Sequence, residues 1–265
     1  MQARALTFAA LASGVFFTGT TGFSGFSGHQ DPPAATKYRI QQVTEQEVDL
    51  TAAGQGKQQR RNSSSLFVSI ALSDSASGRV AHFVVDSAVA DSATTPDAKA
   101  ALDSLKGQVF HAFLDHGKVA AIKAMREGQA TASASALILA LTPRVKPDAK
   151  VGAAWTDTTD VTNDIPGGNM TVRTVTNFKA SGNETRDGLK SLKVDAASSS
   201  AMTGEQGGNK IEGTGTSTAT YFMAPDGRLM AANSNSTSTL AITTPQLPDP
   251  IPLTIKGSLT ITMLK

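Results

Sequence analysis

The feature that most constrains the fold of this 265-residue chain is strict two-residue alternation between Asn209 and Leu240. Its first half sets polar residues against small or apolar ones: Lys210, Glu212, Thr214, Thr216, Thr218 and Thr220 alternate with Ile211, Gly213, Gly215, Ser217, Ala219 and Tyr221. Side chains two apart share one face of a strand, so this pattern predicts a long β-strand. Pro225, Asp226 and Gly227 then predict a turn, because Pro presets φ and Gly accepts φ > 0. The whole stretch is therefore predicted to form a long antiparallel hairpin.

The large apolar residues of this hairpin gather beside its turn, and Ser, Thr and Asn fill the opposite end. We therefore expect the hairpin to be buried only near the turn. Its small residues Gly213, Gly215, Ala219 and Ala231 leave two interpretations open. They either make room for a ligand or allow a helix to pack closely.

Similar alternation recurs along most of the chain and predicts about eleven strands. Thr95-Pro96-Asp97 has the order of an N-cap, a first-turn Pro and an acid near the positive helix end, which predicts a short helix over residues 96–106. The Ala-rich and then fully apolar stretch over residues 131–141 predicts a second, buried helix. The predicted fold class is mainly β, with one large antiparallel curved sheet or open barrel and two helices. Sequence-adjacent strands are expected to pair.

The length of the chain fits one large β domain. We expect a single β-rich domain over residues 37–265. Pro143 and Pro147 mark a joint between an N-terminal half, residues 37–142, and a C-terminal half, residues 150–265, because neither a helix nor a central strand continues through Pro.

Residues 1–28 predict a signal peptide, with Arg4 as its basic start and an apolar run from Ala5 to Phe17. Residues 29–36 are predicted to be a flexible lead-in. The apolar run is shorter than the roughly 20 residues that span a bilayer as a helix, and no later segment qualifies as a span. We therefore expect export to the periplasm or the extracellular space, with no membrane span in the mature chain.

The chain contains no cysteine, which excludes disulfides, Cys-ligated metals, thiol catalysis and a lipid anchor attached through Cys. Its 24 basic and 22 acidic residues give a formal charge of +2, which favours no nucleic-acid partner. The strongest basic run, Lys57 to Arg61, is interpreted as a solvated turn.

Residues that carry chemistry are scattered. His82 and His111 lie in predicted strands without metal-ligand spacing. They could meet across a sheet, but we interpret them as two unrelated polar positions. Asp157, Asp160 and Asp164 form an oxygen-rich segment, which we interpret as the rim of a loop. The alternative is that this segment binds Ca²⁺. No nucleophile elbow, phosphate-binding loop or dinucleotide motif is present. We therefore predict a non-enzymatic protein with no catalytic residues, no metal site and no cofactor.

A small group of large apolar residues stands out in a chain that is only 5% aromatic. These residues either anchor a core or line a cavity. The candidates for a ligand cavity are Leu137, Leu141, Trp155, Tyr221, Met223 and Leu229.

Two pieces of the sequence carry a family resemblance: the hairpin from Gly107 to Val119 and the Val-Gly-x-x-Trp run from Val151 to Trp155. Together they resemble a group of exported bacterial β-rich proteins of uncharacterised function. The strand count and order are similar to the open half-barrel of periplasmic lipoprotein-carrier (LolA-like) proteins. That resemblance implies one curved sheet whose inner face is plugged by helices and lined by large apolar side chains. The inner faces here are smaller and more polar than the family pattern.

Two functional expectations follow. The first is an exported carrier or sensor whose curved sheet, closed by the helix over residues 131–141, accepts a lipid or another apolar ligand. The alternative is a structural or protein-interaction module of the cell envelope, which has an envelope protein as its partner and no small-molecule ligand.

Overall fold

The computed structural model describes residues 35–51, 54–75, 78–91, 94, 96–115, 118–125, 131–146, 148–165, 167–186 and 188–265. The predicted signal peptide and residues 29–34 of the predicted lead-in lie outside these residues. The described elements are eleven strands and two helices, in the order β1 (Thr36–Asp49), β2 (Lys57–Ser75), β3 (Gly78–Ala90), α1 (Pro96–Asp103), β4 (Val109–Asp115), β5 (Lys118–Ala124), α2 (Thr131–Leu139), β6 (Ala154–Ile165), β7 (Gly168–Arg186), β8 (Leu189–Gln206), β9 (Asn209–Met223), β10 (Leu229–Thr243) and β11 (Ile251–Leu264).

All eleven strands form one curved, unclosed antiparallel sheet, which confirms the predicted fold class. The strand order is β5-β4-β3-β2-β1-β11-β10-β9-β8-β7-β6. Each half of the chain is therefore a run of sequence-adjacent antiparallel strands, as predicted. The two runs meet where β1 pairs with β11, from Lys37 opposite Leu264 to Val48 opposite Leu253. This pairing joins the two ends of the described chain at the middle of the sheet.

One face of the sheet carries most of the buried apolar side chains, and we call it the inner face. Over the N-terminal half it is filled by a large cluster that includes Ile40, Leu66, Phe83 and Phe110, all fully buried. Alternation explains this placement. Every second residue of a strand points to the same face of the sheet, and residues that lie opposite each other on neighbouring strands, such as Phe83 and Phe110, share that face. The result is a continuous core over one half of the sheet.

Both helices contribute to that core. α1 packs against β3 and α2 against β5. Leu137 and Ile138 of α2 belong to the cluster, and so do Leu105 and Leu141, which lie just beyond the ends of the two helices. Both predicted helices are confirmed, although each ends two or three residues earlier than predicted. The residues that follow make tighter turns, with Leu105 N–H donating to Leu102 C=O at 3.0 Å and Leu141 N–H donating to Ile138 C=O at 3.0 Å.

The hairpin of β9 and β10 forms as predicted, with Gly227 at φ 84° in its turn. The expectation that it is buried only near the turn is wrong. Ile211, Leu240 and Ile242 at the opposite end are also buried, in a second apolar cluster with Met202 and Ile251. This cluster forms because β8 and β11 flank the hairpin and bring their own apolar residues to the same end.

The basic run Lys57 to Arg61 was predicted to be a turn and instead begins strand β2. The positive-φ turn lies just before it, at Gly54 and Gly56. Antiparallel pairing with β1 places the run beside acidic residues, so Lys57 Nζ lies 3.0 Å from Glu47 and Arg61 Nε 3.6 Å from Glu45. The sequence pattern of a single strand does not show which acidic residues lie opposite it on the neighbouring strand.

Candidate functional site

A cavity of about 520 Å³ lies on the inner face of the C-terminal half. Its floor comes from strands β7 to β11, and its remaining walls come from β6, Ile122 of β5 and the segment that follows α2. Twelve of its 31 lining residues are Ser or Thr, and three are charged. The apolar core of the other half therefore gives way, on the same sheet face, to an open and partly polar space.

The floor of the cavity carries two adjacent rows of hydroxyl side chains that run across the strands. One row places Thr176, Ser198, Ser217 and Ser236 opposite one another on β7, β8, β9 and β10. The next row contains Thr174, Ser200, Gly215 and Ser238 in the same strand order. We call the seven hydroxyl residues of these rows the hydroxyl band. The band exists because the strand registers align Ser and Thr positions of equal parity.

Hydroxyl groups of the band lie close to one another and to glycine. Thr176 Oγ1 and Ser198 Oγ are 2.8 Å apart and share a hydrogen bond. A methyl group added at Gly215 would lie 2.7 Å from Ser200 Oγ and 2.8 Å from Ser238 Oγ. Gly215 therefore lets two hydroxyls converge from the neighbouring strands, and a larger residue there would push them apart.

Apolar side chains border the band at both ends of the strands. Phe178, Ala219 and Leu259 line the cavity on the side of the N-terminal core, and Met202 and Leu240 line it on the far side. The latter two belong to the second apolar cluster. Along the strand direction the cavity is thus apolar, then hydroxyl-rich, then apolar.

The segment after α2 crosses over one side of this cavity and is fastened to the edge strand β6. Thr142 and Arg144 of this segment line the cavity, together with Leu139 at the end of α2. Arg144 donates a hydrogen bond to Asp157 at 3.1 Å, in a partly buried ion pair. Lys146 Nζ then lies 5.9 Å from the ring centre of Trp155. These contacts fix the wall without filling the space beneath it.

Charge on the cavity wall is sparse and largely paired. Among the described residues, the charged lining groups are Arg144, Asp157 and Asp160. Arg144 is engaged by Asp157, and Asp160 lies 3.9 Å from Arg173 at an exposed position. The lining therefore carries one cation and two carboxylates.

Of the six sequence-predicted cavity candidates, the structure places one in the cavity lining and the other five in apolar clusters. Tyr221 lines the cavity. Leu137, Leu141 and Leu229 are buried in the N-terminal core, and Met223 packs against it. Trp155 stacks on Phe178 at a ring-centre distance of 5.1 Å, in a small cluster to which Tyr221 also contributes. Burial raises the pKa of Tyr221 above its ordinary value.

Sequence reasoning missed the hydroxyl band and Arg144. Each Ser of the band is unremarkable in a Ser-rich strand, and only the register of four strands aligns them. The available signal was the parity of Ser217 with Gly215 and Ala219, which already placed a small hydroxyl residue on the predicted inner side. Arg144 gave no signal, because its role depends on the path of an irregular segment. The four small hairpin residues do not share one environment. Ala219 lines the cavity, whereas Ala231 is buried with Phe222 in another cluster.

Two further expectations about polar residues are wrong. Asp157 and Asp160 lie on strand β6 rather than on a loop rim, with Asp164 on the same strand. His82 and His111 are direct cross-strand partners, with ring centres 4.6 Å apart in an edge-to-face arrangement. Ser73 Oγ lies 3.1 Å from His82 Nε2. Their meeting across the sheet was the less favoured alternative from the sequence, because it depends on the register of β3 against β4.

The described residues contain no group of three or more His, Cys, Asp or Glu that could hold a metal ion. Neither described helix is long and apolar enough to cross a membrane. No protein-family model matches the chain, and neither the curated proteins nor the solved structures provide a significant match.

Proposed function

We propose that this protein is an exported, non-enzymatic carrier that binds a lipid or another apolar ligand in the cavity on the inner face of its C-terminal half. The observation that carries the proposal is the cavity itself, of about 520 Å³. Pockets that bind small molecules measure about 300–1,000 Å³ and are mostly apolar with a few polar groups. Export rests on the signal peptide predicted for residues 1–28.

The position of the cavity supports this proposal. The same sheet face is packed in the N-terminal half, where Phe83 and Phe110 are fully buried in the large apolar cluster. The open space beside this close-packed core therefore offers a concave, partly apolar surface on which a ligand could bind. The resemblance to periplasmic lipoprotein carriers, in which helices plug one curved sheet, agrees with the same function.

The proposal is tested by extracting purified protein with organic solvent and identifying bound lipids by mass spectrometry. We expect acyl-chain lipids in the extract of the wild-type protein. Ser217→Phe places a large ring at the centre of the cavity floor and is expected to abolish the bound lipid. Thr218→Phe is the matched control, because Thr218 is the exposed neighbour on the opposite face of β9.

Melting temperatures separate loss of ligand from loss of fold. Both variants should melt within a few degrees of the lipid-free wild type. A wild-type extract without lipid, together with no binding of added lipid, would contradict the proposal. Equal lipid content in Ser217→Phe and Thr218→Phe would show that any lipid binds elsewhere.

An envelope protein-interaction module is the second candidate, and the sheet edges are the observation in its favour. β5 and β6 each pair on one side only within the described sheet. Exposed edges of this kind accept strands from other chains. A photo-crosslinking residue at Lys123 on β5 would test this candidate in cells. A single cross-linked envelope protein, combined with a lipid-free extract, would favour the module over the carrier.

A further inference from the structure

The lining of the cavity also indicates which class of ligand it takes. We infer that the cavity selects a neutral amphiphile, with its hydroxyl, ester or amide groups over the hydroxyl band and its apolar part against the flanking apolar walls. This inference rests on the proposed carrier function and narrows it. The inference predicts that, at equal chain length, the cavity binds neutral polar lipids more tightly than fatty-acid anions.

The first step of the argument is the hydrogen-bonding capacity of the floor. Each hydroxyl offers one donor and two acceptor lone pairs, so the bond between Thr176 and Ser198 leaves acceptor capacity on both. Ser200 and Ser238 converge over Gly215 and present a second pair of hydroxyls two residues along the strands. A purely hydrocarbon ligand would remove these groups from water without replacing their hydrogen bonds, which is unfavourable.

The second step is the size of the band. Strands lie about 4.8 Å apart, so a row from β7 to β10 spans roughly 14 Å, and the two rows are separated by roughly 7 Å along the strands. A glycerol, ester or amide group fits within that area, with room for more than one polar group. The apolar borders at Phe178 and Met202 then accept chain segments on either side.

The third step is charge. Arg144 is the one cation among the described lining residues, and Asp157 already engages it at 3.1 Å. Asp160 adds a second carboxylate to the wall. A ligand carboxylate or phosphate would therefore meet paired or like charge in a partly buried space, where an unpaired charge is costly. A neutral polar group meets no such penalty.

The test compares 1-decanoylglycerol with decanoate, which share one acyl chain, by isothermal titration of the delipidated protein at pH 8 below their micelle concentrations. We expect decanoylglycerol to bind at least about tenfold more tightly, the equivalent of one or two net hydrogen bonds. The comparison in the wild-type protein is decisive by itself. Decanoate binding as tightly as decanoylglycerol would overturn the inference and leave the carrier function standing, whereas binding of neither would overturn both.

A pair of variants locates the selectivity. Ser200→Ala with Ser238→Ala removes two hydroxyls of the band, and we expect the preference for decanoylglycerol to fall to about threefold or less. Ser199→Ala with Thr237→Ala removes two exposed hydroxyls from the opposite face of the same strands and should leave the preference unchanged. An unchanged preference in the inner-face variant would overturn the inference.

Discussion

The two halves of this sheet share one architecture but differ in how their inner faces are finished. In the N-terminal half, large side chains such as Phe83 and Phe110 are fully buried in one cluster with residues from the helix segments. In the C-terminal half, Ser198, Ser217 and Ser236 lie at the middle of their strands and border a cavity. A sheet of continuous hydrogen bonding can therefore carry a packed core at one side and an open space at the other.

The difference has a physical origin in side-chain volume and in where the described helices lie. Both pack against strands of the N-terminal half, α1 on β3 and α2 on β5. Their large apolar residues close that side, since burial of each such residue contributes about 1.5–3 kcal/mol. The small hydroxyl residues of the C-terminal half are too short to fill the space above their part of the sheet. Stability is thus expected to be concentrated in one half and binding in the other.

The largest expected effect comes from removing a buried ring from each half. Phe83→Ala in the packed half should lower the free energy of unfolding by about 3–5 kcal/mol, because it leaves a void in a closed core. Phe178→Ala, on the cavity wall, should cost roughly 1–2 kcal/mol less, because it enlarges a space that already exists. Urea unfolding of the lipid-free protein measures both values.

Phe67→Ala is the control for this pair, since Phe67 lies on β2 with the opposite parity and is only half-buried. It should cost less than Phe83→Ala. Equal losses for Phe83→Ala and Phe178→Ala would show that the two inner faces are equally packed, and the comparison between the halves would fail.

A second prediction concerns Tyr38, which joins β1 of the N-terminal half to β10 of the C-terminal half. Its buried hydroxyl donates a hydrogen bond to the Leu229 carbonyl at 2.8 Å. Burial, opposed by the charge of Arg228, raises the pKa of Tyr38 from 10.0 to about 12. The folded state thus favours the neutral phenol, and this contribution to stability is complete below pH 10 and is lost as the pH rises through 12.

For a shift of this size the loss should reach about 1.4 kcal/mol at pH 11 and approach about 2.7 kcal/mol above pH 12. Urea unfolding at pH 8 and pH 11 measures it. In Tyr38→Phe this part of the alkaline loss should disappear, although the variant is less stable at pH 8 because the Leu229 carbonyl has lost its partner. An identical pH dependence in the wild type and the variant would mean that the Tyr38 bond does not link the halves in solution.

The sequence was sufficient to predict much of the fold, because strands and turns are determined by local sequence patterns. The alternation from Lys210 to Tyr221 and the glycine at position 227 each act within a few residues, and both appear in the structure as predicted. The pairing of β1 with β11 was not predictable in this way. It joins residues more than 200 positions apart, and the sequence pattern of neither strand indicates which strand it pairs with.

The candidate site was less predictable than the fold, for the same reason. Leu137 and Tyr221 could be selected by size and parity, but whether each fills a core or borders a cavity depends on where α2 settles on the sheet. The hydroxyl band requires the registers of four strands at once. Arg144 and His111 acquire their roles from partners that are distant in sequence.

The smallest expected effect is a weakening of the N-terminal half in mild acid, caused by the pair of His82 and His111. Burial, together with the neighbouring His82, lowers the pKa of His111. The cross-strand partner of His111 on β5 is the exposed cation Lys123, which does not stabilise a second positive charge beside it. The unfolded chain therefore takes up a proton that the folded state resists, so stability is complete above pH 6.5 and falls as the pH drops toward the lowered pKa. Hydrogen exchange at pH 7.5 and pH 5.5, corrected for intrinsic rates, should show reduced protection in β3 and β4 but not in β7 and β8. His111→Gln should remove this difference, because the neutral amide does not titrate. Equal acid sensitivity in both halves of the wild-type protein would assign the effect to the sheet as a whole and not to the histidine pair.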